Sequence, residues 1–253
     1  MLHAPLEQFQ IISIFSVDIF LFDFSLTNFL LINLLVLLSL VSFIYFNSYY
    51  NTTTEKVCNY LAPNAWQKSV EFISDITSQL ISDIISGENE KYFLFIATLF
   101  NFILFSNLIG LIPYSFTATS HFVVTFTLST TVFVGINVMV FQKYKIKAFS
   151  LFLPANTTFF LALLLIPIEF VSYIAKPISL GVRLFINLMA GHSLLKVIVG
   201  FSWGMLFLEN FTSAGFVLPM IFLILLFGLE LSVALIQTYV FIILTCIYIQ
   251  DGS

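Results

Sequence analysis

Long apolar runs constrain this chain more than any other feature. The stretch from Leu26 to Phe46 carries no charged residue, and the mostly apolar segments 157–205 and 219–249 each exceed the ~20 residues that cross the hydrocarbon core of a bilayer. Sixty per cent of all residues are hydrophobic and 9% are charged, whereas soluble domains carry about 25% charged residues. The sequence therefore predicts an all-α polytopic membrane protein with about five membrane-embedded helices.

The order of apolar and charged segments predicts one membrane domain over residues 1–253. Between the first two spans, apolar residues from Val70 to Ile85 recur at helical spacing among many charges, which is typical of an amphipathic helix at the membrane surface. Two prolines, Pro167 and Pro177, interrupt the longest apolar segment. The predicted segments are an N-terminal interfacial segment (1–25), a first span (26–48), the amphipathic helix (64–88), a helical hairpin (91–142) and a long tilted hairpin (155–250).

Basic residues predict the orientation in the membrane. Three lysines in 143–147 follow the third span directly, which places that loop on the inner side. Counting crossings from this loop puts the N-terminus outside and the C-terminus inside. The absence of Lys and Arg before Lys56 argues against a basic signal peptide and against an Arg-rich presequence, so an organellar form is expected to be synthesised inside the organelle.

Several function classes find no support in the sequence. It has no basic stripe that would bind nucleic acid and no phosphate-binding GxxxxGK[ST] loop, so we expect this chain to bind no nucleotide. Cys58 and Cys246 are far apart and form no metal-binding or redox spacing. We therefore expect neither a cofactor nor a metal ion.

Polar residues inside the last two apolar segments are the candidates for function. Arg183 is the only arginine of the chain, and insertion of a central arginine costs about 2.5–3.5 kcal/mol. Glu169, Lys176 and Arg183 are spaced by seven, so they share one helix face, and Asn187 lies one turn further along.

The predicted hairpin pairs these polar residues across its two helices. If the hairpin closes near residue 210, Arg183 lies at the depth of Gln237, and His192 at that of Glu230. Titratable groups then lie towards each surface, with a permanently charged guanidinium between them. Carboxylates and imidazoles exchange protons and arginine does not, so the arrangement suits proton transfer.

Simpler interpretations of these residues remain open. Glu169 can cap backbone groups freed by Pro167, and Lys176 and Lys196 can extend towards the membrane surface. A lone His192 is more often an interhelical hydrogen-bond donor than a proton relay. Arg183 has no such simple explanation, because it lies at the centre of a long apolar helix.

Three stretches of the sequence resemble subunit a of the rotary F-type ATP synthases. They are "FNFILFSNLIGLIPYSFTATSHF" (100–122), "AKPISLGVRLFINLMAGHSLL" (175–195) and "GLELSVALIQTYVFIILTCIYIQD" (228–251). The resemblance implies that Arg183 faces the carboxylates of a rotating ring of c subunits, with Gln237 and Asn187 as its polar neighbours. It also implies that His192 and Glu230 belong to an outer half-channel for protons and Glu169 to an inner one.

The same resemblance implies partners and a location. The partners would be the c ring, peripheral-stalk subunits and other membrane-sector subunits, with the proton as the transported ion; this chain would not be an enzyme by itself. The order His192 then Glu230 resembles the mitochondrial forms, and "PLEQF" (5–9) resembles plant and algal ones. The expected location is the mitochondrial inner membrane, with the bacterial plasma membrane as the alternative. Gly110 departs from bacterial forms that have an aspartate there.

Two other function classes are weighed against this interpretation. A secondary transporter or channel predicts broken helices in an internal repeat, and no convincing repeat relates the two halves of the sequence. A structural subunit of a respiratory complex leaves Arg183 and Glu230 unexplained. A sodium-coupled synthase is a variant of the first interpretation, and the ion site of the ring would decide it.

Overall fold

Six α-helices make up almost all of the part of the chain that the structure describes. The computed structural model describes residues 7, 9–16, 18–19, 22–23, 25–53, 65–85, 89–112, 115–145, 159–206 and 214–252. Five of the helices, all but α2, are long and apolar enough to cross a membrane, which confirms the all-α polytopic fold class. The helices are α1 (Asn28–Thr53), α2 (Ala65–Ile84), α3 (Asn89–Gly110), α4 (Phe122–Tyr144), α5 (Phe159–Leu206) and α6 (Ala214–Gly252), with a 3₁₀ turn at Ala118–Ser120 before α4.

Short β-ribbons, which the sequence pattern did not predict, precede α1. Strand β1 (Ser13–Phe15) pairs antiparallel with β4 (Leu26–Thr27), and β2 (Asp18–Ile19) pairs with β3 (Phe22–Asp23). The many β-branched and aromatic residues of 11–23 are compatible with strands. Because each pairing is only two or three residues long, the ribbons leave the fold class unchanged.

Helix α2 is amphipathic, as its periodicity predicts. Its buried side carries Thr77, Leu80 and Ile81, whereas Glu71 and Asp75 are exposed. The buried side packs against α3 and α6. The apolar stripe of α2 is thus covered by protein, and its polar stripe faces away from the bundle.

The hydrophobic core surrounds the C-terminal half of α6. Phe241, Ile242 and Cys246 are fully buried there, where α2, α3, α4 and α5 contribute the surrounding side chains. Helices α4 and α5 approach closely at Gly181, where a Cβ atom would lie 2.7 Å from Ser129 Oγ and 3.0 Å from the carbonyl oxygen of Thr125. Small residues at such crossings let membrane helices pack backbone to backbone.

Helices α5 and α6 form an antiparallel pair. Asn187 contacts Gln237 and a later residue of α5, Gly191, contacts an earlier residue of α6, Glu230. At the standard rise per residue, α5 is about 72 Å long and α6 about 58 Å long, so both exceed a ~30 Å hydrocarbon core and must tilt or extend beyond it. The connection between them, where the turn near residue 210 is predicted, lies outside the described residues, as does Lys147.

Two prolines lie inside α5. The helix continues through both Pro167 and Pro177. Each proline removes one backbone hydrogen bond, and neighbouring helices can compensate for such a loss in a membrane protein. Pro177 is buried, whereas Pro167 is exposed.

Candidate functional site

A pocket of about 230 Å³ lies between the C-terminal half of α5 and the N-terminal half of α6. Asn187, His192, Glu230 and Gln237 contribute its polar groups, and leucine, valine, alanine and glycine residues form the rest of its lining. Four of the six site residues predicted from sequence therefore meet around one space. A liquid water molecule occupies about 30 Å³, so the pocket has room for several.

Glu230 is the acidic group of the pocket. Its side chain is half-buried, and both carboxyl oxygens are buried without a hydrogen-bond partner among the described residues. Buried polar atoms normally have a partner, and leaving a carboxyl group unpaired costs several kcal/mol. Both oxygens are therefore available to a partner that enters the pocket.

Gly191 makes room for Glu230, a role that the sequence pattern did not predict. A Cβ atom at position 191 would lie 2.9 Å from Glu230 Oε1 and 3.1 Å from its Cδ. The carboxyl group thus rests directly on the backbone of α5. The sequence feature that could have indicated this role is the pair of small residues Ala190 and Gly191. They directly precede His192, which lies opposite Glu230 in the predicted hairpin.

Asn187 and Gln237 join the two helices on the other side of the pocket. Asn187 Nδ2 donates a hydrogen bond of 3.0 Å to Gln237 Oε1. Gln237 is only 4% exposed, and its Nε2 is buried without a partner in the described part of the chain. The hairpin alignment pairs Gln237 with Arg183, whereas the amide partner that the structure gives it is Asn187, one turn further along α5.

His192 borders the pocket and also contacts the N-terminal segment. The imidazole is half-buried, and its Nε2 is buried without a hydrogen-bond partner among the described residues. The ring of Phe9 lies edge-on to it, with 6.3 Å between the ring centroids and 70° between the planes. Nothing in the sequence pattern pointed to this contact, because some 180 positions separate the two residues.

Arg183 and Glu169 lie on α5 outside the pocket, and both are exposed. At the standard rise, Arg183 is about 21 Å from Glu169 and about 14 Å from His192 along the helix axis. Arg183 belongs to an exposed stripe that is otherwise apolar towards the end of α5. The other members of this stripe are Ile186, Ala190, Leu194, Val197 and Phe201.

Two further groups of polar residues tie α6 to its neighbours. Asn107 of α3 is buried and donates to Thr238 Oγ1 at 3.2 Å and to the carbonyl oxygen of Ala234 at 3.5 Å. The ammonium group of Lys176 lies over the rings of Tyr173 and Tyr248, 5.8 and 5.1 Å from their centroids. Cation–π contacts of this kind stabilise the pairing of α5 with α6, so Lys176 is engaged with protein.

Comparison with known proteins identifies the family. The family model described as "ATP synthase A chain" matches residues 29–250. The chain is 44% identical to ATP synthase subunit a of Chondrus crispus over 251 residues, which cover 99% of this chain and 96% of the relative. It is 43% identical to the same subunit of Marchantia polymorpha over 258 residues, which cover 100% of this chain and 98% of the relative. The family model covers most of the chain, and the two relatives align with it over nearly their full lengths. The chain therefore belongs to the ATP synthase A chain family.

Proposed function

We propose that this chain is the stationary proton-conducting subunit in the membrane sector of a rotary ATP synthase. Family membership supports the setting, and the positions of the polar residues on α5 and α6 support the role. The chain would provide two offset half-channels that lead to and from carboxylates on a ring of c subunits. ATP chemistry would belong to other subunits, and all 253 residues would form one membrane domain.

The pocket between α5 and α6 supports an outer half-channel. It holds the Glu230 carboxyl group, the His192 imidazole and the Gln237 amide, each with a buried atom that has no hydrogen-bond partner among the described residues, together with the amide of Asn187. Water that satisfies these atoms would connect them into a path for protons. Glu230 would take up a proton and pass it on, with His192 beside it, and the Asn187–Gln237 hydrogen bond would hold the two helices at this depth.

Arg183 carries the proposal furthest. It is the only arginine of the chain and is exposed on a helix surface that is otherwise apolar nearby. A guanidinium group facing lipid is costly, so a partner with a carboxylate is expected to cover this stripe. Because arginine stays protonated, it would block direct proton flow between the half-channels and would favour loss of the proton from an arriving ring carboxyl group.

Glu169 supports the exit path. It is exposed on α5, about 21 Å along the helix from Arg183 on the side away from the pocket. A carboxylate there can receive protons released beside Arg183 and pass them to the inner surface. Each proton that moves down 100 mV releases about 2.3 kcal/mol, so several protons per nucleotide and a rotating ring are required.

The location and orientation follow the same reasoning. Relatives from red algae, liverworts and flowering plants resemble this chain over nearly its whole length. We place it in the mitochondrial inner membrane with the N-terminus in the intermembrane space and the C-terminus in the matrix. Lys143 and Lys145, at the end of α4, would then lie on the matrix side. The peripheral stalk and other membrane-sector subunits would be its remaining partners.

The substitution Arg183→Ala tests the proposal. We expect complete loss of ATP synthesis driven by a proton gradient, together with a passive proton leak that depends on the assembled complex. The matched control is Ile186→Ala, one turn away in the same exposed stripe, which should keep more than half of the synthesis rate. Coupled synthesis by the Arg183→Ala variant, with the complex assembled on a native gel, would overturn the proposed function.

A further inference from the structure

Phe9 is the large side chain of the N-terminal segment that is buried against the helices, among the residues there whose burial the structure describes. Phe9 is 8% exposed, whereas Ile11, Ile12, Ile14 and Phe15 are all about half exposed or more. The plane of the Phe9 ring lies at 70° to that of the His192 imidazole, with the centroids 6.3 Å apart. Edge-to-face geometry at this distance is the favourable arrangement for aromatic pairs.

The first residue of α1 holds this segment in place. The side chain of Asn28 accepts a hydrogen bond from the backbone N–H of Ile12 at 3.2 Å and donates one to the carbonyl oxygen of Gln10 at 3.1 Å. The backbone N–H of Asn28 donates to the carbonyl oxygen of Ile12 at 3.1 Å. Terminal segments are usually poorly ordered unless they are tied down, and these three bonds fasten the residues that directly follow Phe9.

The next residue of α1 extends the attachment to the loop before α4. Phe29 packs edge-on against Phe116 and His121, at centroid distances of 6.3 and 6.1 Å. The start of α1 is therefore fixed to the α3–α4 connection on one side and to residues 10–12 on the other. These successive contacts connect the segment next to Phe9 with the start of α1 and the α3–α4 connection, which together fix the position of Phe9 beside His192.

We infer that Phe9 is a positioning residue for His192 in the outer half-channel. The inference rests on the proposed function, because it assigns Phe9 to the path through the pocket. Phe9 covers the imidazole on the side where the segment packs, limits its rotation and keeps that side free of water. The imidazole is thereby held at the pocket it shares with Glu230. Phe9 itself carries no proton, and its effect passes entirely through His192.

The experiment compares variants in the assembled complex. ATP synthesis driven by an imposed proton gradient is measured in membranes and normalised to the assembled complex on native gels. We expect Phe9→Ala to lower the rate about three- to tenfold, the range that the loss of an aromatic pair implies. Phe9→Tyr, which retains the ring, should restore the rate to within about twofold. Phe15→Ala, an exposed phenylalanine of the same segment, is the matched control and should leave the rate unchanged.

A second variant and a double variant complete the test. Asn28→Ala keeps Phe9 but releases the segment that carries it, so it should also lower the rate. This variant provides the test where Phe9→Ala prevents assembly of the complex. In a His192→Gln background, Phe9→Ala should cause no further loss, since Phe9 acts through the imidazole. Additive losses in the double variant, or an unchanged rate for both Phe9→Ala and Asn28→Ala, would overturn the inference. Full activity of Glu230→Gln and of His192→Gln would instead overturn the proposed outer half-channel.

Discussion

The two halves of α6 are built differently, although the same helix runs through both. In the C-terminal half, Phe241 and Ile242 are fully buried, and the buried threonines Thr238 and Thr245 donate to backbone carbonyl oxygens within the helix. In the N-terminal half, between Met220 and Val233, no residue is buried. The acidic group there, the Glu230 carboxyl, has no hydrogen-bond partner among the described residues.

The C-terminal half of α6 is packed into the core, whereas the half that contains Glu230 lines the pocket. Polar groups that are satisfied inside a packed region hold helices together and have no capacity left for exchange. Polar groups that line a pocket with free hydrogen-bonding capacity can accept and release protons through water. The contrast predicts that substitutions in the C-terminal half affect assembly, whereas substitutions around Glu230 affect proton flux at constant assembly.

The largest effect is expected from Phe241→Ala in the packed half. Removing a fully buried phenylalanine leaves a cavity and costs about 3 kcal/mol, because the lost dispersion contacts are not replaced. The amount of assembled complex on a native gel should fall accordingly. Ile236→Ala, at an exposed position of the same helix, should leave it unchanged. Normal assembly of Phe241→Ala would show that the packed half of α6 is not the scaffold.

A smaller effect, on flux alone, is expected from Glu230→Gln. The amide is nearly isosteric with the carboxyl group but cannot transfer a proton, so proton-driven ATP synthesis should fall on the order of 100-fold. The yield of assembled complex should remain that of the wild type. Ser232→Ala is the matched control, because the Ser232 hydroxyl is exposed and bonds only locally to the carbonyl oxygen of Leu229. A rate close to wild type for Glu230→Gln would remove the carboxyl group from the proton path.

The smallest effect is expected from Gly191→Ala, which sharpens the comparison by moving Glu230 instead of removing it. The added methyl group would lie 2.9 Å from Glu230 Oε1, so the carboxyl group must shift by a few tenths of an ångström. We expect about a fivefold loss of synthesis rate, because proton transfer depends on hydrogen-bond distance. Gly204→Ala, also on α5 but with no atom within 4 Å of the added Cβ, should behave as wild type. Equal rates for the two variants would show that the close packing of Gly191 on Glu230 has no functional role.

Much of the fold could be predicted because membrane helices obey local rules. A run such as Asn28 to Phe46 must form a helix in lipid, since every backbone group has to be hydrogen-bonded internally. The amphipathic period of α2 is likewise visible in a short window. The β-ribbons before α1 were not predicted, because the local pattern there is compatible with more than one structure and the surroundings decide.

The sequence by itself determined which residues were candidates and roughly at what depth they lie. Helical rise and hairpin closure are fixed geometric quantities, so residue numbers alone place His192 and Glu230 at one level. Only the tertiary structure decided that they share a pocket with Gln237, that Gly191 makes room for the carboxyl group, and that Phe9 packs on His192. The physical reason is that depth depends on residue number along one helix, whereas contact depends on helix rotation and on segments remote in sequence, which side-chain packing sets.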